Sequence, residues 1–342
     1  MSKPRLLLTA EVDEGGIAPL FDMCDVVEDG YRFGPVKLTE EQQIEKLKGC
    51  EIFMTSYDAV TAKVIENAPD LKLIVCARSN PINVDLAAAK ARGIPVSYTP
   101  GRNSDCTAEF AVALMLMAAR KIPQALSRIA DGTYLSNEPV PQKKDVTWGV
   151  VGGRSPYNEL QGMQLFGRTL GIVGYGSIGR RVGRIAHQGF GMYLNIYDPY
   201  ANELEVESPG IRKVDFETLL KESDFISCHV KPTPATTGLF TLDCFKKMKP
   251  TAFFINNGRG NVVVEKDLIE ALRQKLIAGA ALDVFENEPL EANHPYVSGE
   301  LDNVVVTPHM SGAAIDSMIN HTKMAVAEVR RHIAGEPLLF SK

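Results

Sequence analysis

The chain has 342 residues, enough for two domains rather than one. A hydrophobic share of 45% with 23% charged residues is that of an ordinary globular protein, and a net charge of -5 argues against a nucleic-acid-binding face. No apolar run approaches the roughly 20 residues of a membrane span, and the N-terminus reads as a poor signal peptide.

From Arg5 to Ser97 short apolar runs alternate with helical segments. The runs "RLLLT", "CEIFMT", "LKLIVCA" and "IPVSY" read as strands. Between them "TEEQQIEKLKG", "TAKVIENAP" and "NVDLAAAKARG" read as helices. This alternation predicts a parallel sheet covered on both faces. Pro100-Gly101 then breaks the chain. Ser104 or Asp105 is placed to cap an apolar helix running to about Ile122, which makes this point a candidate hinge. Residues 132–166 follow, with the only tryptophan, Trp148; the stretch is too long for an ordinary loop.

A second alternating unit starts near Arg168. Its strands read "TLGIVG", "MYLNIYD", "SDFISCHV", "TAFFINNG", "AGAALDVF" and "DNVVVTPH". Six such strands with helices between them predict an α/β fold with a doubly wound sheet. The final segment, from Ser311, reads as a long amphipathic helix that returns to the first domain. The six cysteines are far apart and form no C-x-x-C pair. They read as small buried hydrophobes in a reducing cytoplasm, with no metal site.

"GIVGYGSIGRRVG" places Gly174, Gly176 and Gly179 in a G-x-G-x-x-G pattern, with Ser177 and Ile178 inside it. The pattern alone is weak, but here it follows an apolar strand and opens a helix. Such glycines let the backbone approach a pyrophosphate at the helix N-terminus. Asp198 ends the next strand, 24 residues after Gly174. A carboxylate there accepts bonds from ribose hydroxyls and repels a 2′-phosphate, so the expected cofactor is NAD rather than NADP.

Ligands of a doubly wound sheet bind beyond the carboxyl ends of its strands. The residues expected there are His229, Arg259, Asp283 with Glu286 and Glu288 just beyond, and His309. Each has a bland reading on its own, but successive strand ends beside a dinucleotide motif favour a site. Arg259 offers a planar fork for a carboxylate and its neighbouring carbonyl. His309 is suited to pass a proton to or from that carbonyl, and Glu288 to hold the imidazole and favour its charged form. This set suits hydride exchange between NAD and a 2-hydroxy acid/2-keto acid pair.

Over nearly its whole length the sequence resembles the D-isomer-specific 2-hydroxyacid dehydrogenase family. The resemblance rests on "GRTLGIVGYGSIGRRV", "YDPY", "INNGRGNVVVEKDLIEAL", "GAALDVFENEPL" and "NVVVTPHMSGA". It implies a flavodoxin-like substrate domain, residues 1–101 and 309–342, and a Rossmann-like NAD-binding domain, residues 102–308. It also implies a homodimer embraced by an arm at 123–166. Arg259, Glu288 and His309 match the family's catalytic Arg, Glu and His; Glu288 fits better than Glu286 because it lies five residues after Asp283. Asp283 matches a residue near the nicotinamide amide.

Arg78-Ser79-Asn80-Pro81 follows the strand "LKLIVCA", on an edge that the resemblance turns toward the cofactor cleft. Many members have a glycine-rich loop here that holds the substrate carboxylate. Arg78, Ser79 and Asn80 are therefore candidate substrate contacts. Phosphoglycerate-handling members carry an Arg at the position that here matches Thr55, and the chain ends at Lys342 without a regulatory domain. Two alternatives stand beside the 2-hydroxyacid dehydrogenase: a D-3-phosphoglycerate dehydrogenase that holds phosphate through Arg78, and a non-enzymatic NAD-sensing protein like the corepressors of this fold.

Overall fold

Near-continuous apolar runs need cover on both faces, and parallel sheets provide it. The computed structural model describes residues 3–135 and 155–342, so Trp148 and the centre of the 135–161 stretch lie outside the described residues. The chain divides into two units, Met1–Asn103 with Ala313–Lys342, and Ser104–Gly312. His309, which the expected boundary gave to the first unit, lies in the second.

The first unit runs β1 (Arg5–Leu8), α1 (Glu14–Met23), β2 (Asp25–Glu28), α2 (Glu40–Lys46), β3 (Ile52–Thr55), α3 (Ala62–Glu66), β4 (Leu73–Cys76), α4 (Leu86–Ala91) and β5 (Val96–Tyr98). All neighbours pair in parallel, in the order β2-β1-β3-β4-β5. Alternate residues feed two cores. Leu6, Leu8, Met54 and Val75 pack with Ile17, Leu20 and Val329 on one face. Leu7, Phe53 and Ile74 pack with Val64, Ile65 and Ala89 on the other. Each fully buried Leu or Phe contributes about 1.5–3 kcal/mol. Helix starts are set locally: the Asp13, Thr39, Thr61 and Asp85 side chains each accept a backbone N–H of the first turn.

The second unit begins with α5 (Ser104–Ala119). Lys121 then adopts φ 52°, and α6 (Ile122–Ala130) starts as a separate helix, so the single helix expected to Ile122 is broken at this point. The rest runs α7 (Pro156–Glu159), β6 (Thr169–Val173), α8 (Ser177–Arg184), β7 (Tyr193–Tyr197), α9 (Glu203–Val206), β8 (Ile211–Lys213), α10 (Phe216–Glu222), β9 (Phe225–Cys228), α11 (Leu242–Lys247), β10 (Phe253–Asn256), α12 (Glu265–Arg273), β11 (Gly279–Leu282) and β12 (Val304–Val306). Its parallel sheet has seven strands, one more than expected, in the order β12-β11-β10-β9-β6-β7-β8. The strand order reverses at β6, which pairs with β7 on one side and β9 on the other. That reversal opens a crevice beyond the carboxyl ends of β6 and β9.

The closing helix α13 (Ile315–Ile333) belongs to the first unit, as expected, and buries Ala325, Val326 and Val329 against α1 and the sheet. His321 on its buried side accepts from Arg102 Nη1 at Nδ1 (2.9 Å) and donates from Nε2 to Glu11 O (2.7 Å). Arginine only donates and a carbonyl only accepts, so the tautomer is fixed. Burial first, and the Arg102 charge second, push the His321 imidazole down to about 4.

Candidate active site

The β6–α8 turn is built for close approach. Gly174 has φ 93°, and a Cβ there would lie 2.8 Å from Val230 Cγ1 and 2.9 Å from the His229 carbonyl carbon. A Cβ on Gly179 would overlap Gly174 O, so helix and turn touch backbone to backbone. A Cβ on Gly176 would meet nothing within 4 Å. That open side, at the N-terminus of α8, is where a pyrophosphate fits. Ile178 is half-buried behind the turn and packs against the core beneath α5. Ser177 Oγ lies 2.8 Å from Ser104 Oγ and ties the turn to α5.

Asp198, beyond β7, accepts Tyr175 N at Oδ2 (2.7 Å) and Tyr200 N at Oδ1 (2.8 Å). Two backbone bonds therefore hold the carboxylate beside the glycine turn, and each oxygen keeps a further lone pair for a ribose hydroxyl. His229 Nε2 lies 2.8 Å from Ser227 Oγ, while its Nδ1 is buried with no hydrogen-bond partner in the described protein. Burial pushes this imidazole down to about 4, so it is neutral at pH 7. An orphaned buried nitrogen next to the glycine turn is what a site waiting for a polar ligand presents. These residues fit a nicotinamide dinucleotide.

The other predicted residues sit past three adjacent strand ends. Asn256, Leu282 and Val306 are in register across β10, β11 and β12. Arg259 lies three residues beyond the first and His309 three beyond the last. Arg259 is exposed, and its Nη1 donates to Gly258 O (2.7 Å). His309 has φ 52°, a left-handed backbone that a non-glycine residue adopts at a cost of about 1–3 kcal/mol. Its Nδ1 lies 2.6 Å from Glu288 Oε2, and Glu288 Oε1 accepts Phe285 N (3.1 Å). A carboxylate only accepts, so Nδ1 carries the proton and Nε2 is left for chemistry. A cavity of about 490 Å³, walled by Phe285, Pro289, Leu290, Val297, Val306 and Pro308, opens onto this pair. A larger cavity, about 1140 Å³, lies at the amino ends of β10 and β12, on the edge opposite the glycine turn.

Asp283 directly follows β11, as expected. Its side chain is fully buried. Oδ1 accepts Thr307 Oγ1 (2.5 Å) and Met310 N (2.9 Å); Oδ2 accepts Ser311 N (2.8 Å) and Ser311 Oγ. Four bonds reach its two oxygens, so the carboxylate organises the loop that carries His309. The same bonds anchor residues 307–311 to β11, which is why His309 falls in the second unit. Glu286 is exposed, and its backbone N–H donates to Glu265.

Asn256 was not singled out from sequence. It is buried, with Oδ1 accepting Gly258 N (3.1 Å) and Nδ2 donating to Arg259 O (3.0 Å), so it folds the turn that presents Arg259. An asparagine ending a buried strand just before glycines is the signal that marks such a turn.

In the first unit Arg78 is half-buried, its guanidinium 5.2 Å from the centre of the Tyr57 ring, which packs on Tyr31 at 4.4 Å. Ser79 and Asn80 are exposed beside it. Thr55 is buried and donates to Asp58 Oδ2 (2.9 Å), a carboxylate that also takes Thr9 Oγ1 and Leu38 N. It is therefore committed to the fold. Burial pushes the Cys76 thiol, two residues before Arg78, up to about 12, so it is no nucleophile. All six cysteines are free, four of them buried. Among the described residues no cluster suited to a metal ion is found and no helix is long and apolar enough to cross a membrane.

A doubly wound sheet with a dinucleotide turn and an Arg, Glu and His beyond its strand ends defines a nicotinamide-dinucleotide-dependent oxidoreductase. The sequence pattern described as "D-isomer specific 2-hydroxyacid dehydrogenase, NAD binding domain" matches residues 112–311. The chain is 34% identical to a glyoxylate reductase of Korarchaeum cryptofilum over 335 residues, covering 98% of this chain and 94% of that one. It is 37% identical to a D-3-phosphoglycerate dehydrogenase of Archaeoglobus fulgidus over 88% of this chain but 53% of that longer protein. Among solved structures it resembles the D-lactate dehydrogenase of Escherichia coli, with a TM-score of 0.75 and 27% identity over 99% of both chains. The chain belongs to the D-isomer-specific 2-hydroxyacid dehydrogenase family, and it is an NAD-dependent oxidoreductase.

Proposed function

We propose that the protein reduces small 2-keto acids to D-2-hydroxy acids with NADH, with glyoxylate, the substrate named in several of its relatives, as the first substrate to try. The observation that carries this reading is the His309–Glu288 pair, 2.6 Å apart, with Nε2 unpartnered among the described residues and Arg259 two strands away. When bound, the nicotinamide supplies or accepts the hydride. Arg259 holds the carboxylate and the carbonyl oxygen of the substrate, drawing charge toward that oxygen. His309 Nε2–H gives its proton to the same oxygen during reduction and takes it back during oxidation. Glu288 keeps Nδ1 protonated and supports the imidazolium.

Gly174, Gly176, Ser177, Ile178 and Gly179 present the pyrophosphate site in this reading. Asp198 takes the ribose hydroxyls and selects NAD over NADP, and His229 contacts the cofactor. Asp283 lies near the nicotinamide amide and anchors the His309 loop. The first unit is the substrate domain, and Arg78, Ser79 and Asn80 are its substrate contacts. A D-3-phosphoglycerate dehydrogenase is weighed down by the commitment of Thr55 to Asp58. The test is NADH and NADPH oxidation with a panel of 2-keto acids, and NAD reduction with 3-phosphoglycerate. Turnover of glyoxylate or another 2-keto acid with NADH supports the reading. Turnover of 3-phosphoglycerate alone replaces the substrate, and tight NADH binding with an inert panel favours a non-enzymatic sensor.

A further inference from the structure

We propose that Glu265, assisted by Gly260, is a positioning residue that registers the loop carrying Glu288 against the turn carrying Arg259. The inference rests on the roles given above to Arg259, Glu288 and His309. Gly260 directly follows Arg259, and a Cβ on it would overlap the Phe285 carbonyl and lie 2.7 Å from Glu286 N. The Arg259 turn and the start of the Glu288 loop are therefore in backbone contact with no room for a side chain.

Glu265 opens α12, and its carboxylate grips the same loop at two points. Oε2 accepts Glu286 N (3.2 Å), and Oε1 lies 3.3 Å from His294 Nε2. His294 Nδ1 accepts Tyr296 N (3.3 Å), so Nε2 carries the proton and donates to Glu265. Glu288 sits between the two gripped points. Both partners are largely shielded, with side-chain exposures of 17% for His294 and 14% for Glu265, so the grip is screened less than a surface pair. Glu288 has one oxygen on Phe285 N and the other on His309. A shift of residues 285–286 thus moves the carboxylate that holds the imidazole. The ionisable groups on the elements holding His309 are Glu288, Glu286, Glu291, Glu265 and His294 on this loop side, Asp283 at the end of β11, and Arg259 on the neighbouring turn.

The experiment compares pH profiles of kcat for NADH-linked reduction in the full-length wild type, Glu288→Gln, Glu265→Ala and Glu265→Gln, with melting temperatures alongside. Reduction needs the protonated imidazole, so rate is lost as pH rises, and removing the Glu288 charge moves the alkaline midpoint down. Glu265→Ala should move the midpoint in the same direction and lower kcat about 10- to 100-fold, a scale typical of a misplaced catalytic group, while KM for NADH stays unchanged. Glu265→Gln keeps one acceptor and should fall between; it carries the test where the alanine variant fails to fold. If Glu288→Gln shifts the midpoint and neither Glu265 variant does, whatever their melting temperatures, the inference is overturned. If Glu288→Gln leaves the midpoint in place, the parent assignment fails and the inference falls with it.

Discussion

In the proposed reading Arg259 and Asp198 each carry a test at the scale of a single residue. Arg259 is exposed, and among the described residues its guanidinium bonds only the Gly258 carbonyl, so its fork is available to a substrate. Two charge-assisted bonds at about 1.5–3 kcal/mol each correspond to a loss of about 10²- to 10⁴-fold in kcat/KM for Arg259→Gln, checked by steady-state kinetics. A change under threefold would remove it from the assigned role. Asp198→Ser should raise KM for NADH and let NADPH compete, since the charge that repels a 2′-phosphate is gone. The placement of Arg259, Glu288 and His309 beyond the strand ends was legible because their residue types follow strand-end motifs. Asn256 and Glu265 were not, because a buried asparagine and a helix-opening glutamate have ordinary structural readings, and their role emerges only from what each side chain touches. Asp283 ends a strand as expected, and its four bonds to residues 307–311 show that it also anchors the loop carrying His309, which the sequence did not reveal.

At the level of elements, the strands that were found are those with a run of apolar residues, even at an edge as in β12, "VVV". β2 and β8 were missed because both are edge strands of mixed composition, "DVVE" and "IRK", with no fully buried residue. α1 was missed because Gly15, Gly16 and Pro19 break the helical pattern. Gly16 is there for packing: a Cβ would lie 2.8 Å from Thr322 Cγ2 of α13. That α1–α13 contact also carries a pH-dependent prediction. His321 is held neutral, with its imidazole pushed down to about 4 against an ordinary value of 6.5. The unfolded chain therefore binds the proton first, and stability falls as pH drops from about 6.5 toward 4, by at most about 3 kcal/mol from this group. Urea melts at pH 7 and pH 5 should show a smaller pH dependence in His321→Asn than in the wild type. Equal dependence would contradict the buried neutral imidazole.

For the whole molecule, the two parallel sheets followed from strand–helix alternation, and the order β2-β1-β3-β4-β5 beside a seven-stranded sheet fits the flavodoxin-like and Rossmann-like halves that the resemblance implied. The assembly is a proposal: α6 exposes Ile122, Leu126 and Ile129 along one face, and a second copy of the chain would cover them. Sedimentation should give a dimer for the wild type and a shift toward monomer for Leu126→Asp; a wild-type monomer would remove the homodimer.

The central claim is proton delivery by His309 during NADH-linked reduction of a 2-keto acid. The most direct measurement is the initial rate of NADH oxidation with glyoxylate and a 2-keto acid panel, for the wild type and for His309→Gln. We predict turnover by the wild type and a loss of about 10²- to 10⁴-fold in kcat for the variant, with NADH binding retained. A wild type that binds NADH and turns over no member of the panel, or a variant as fast as the wild type, would contradict the account.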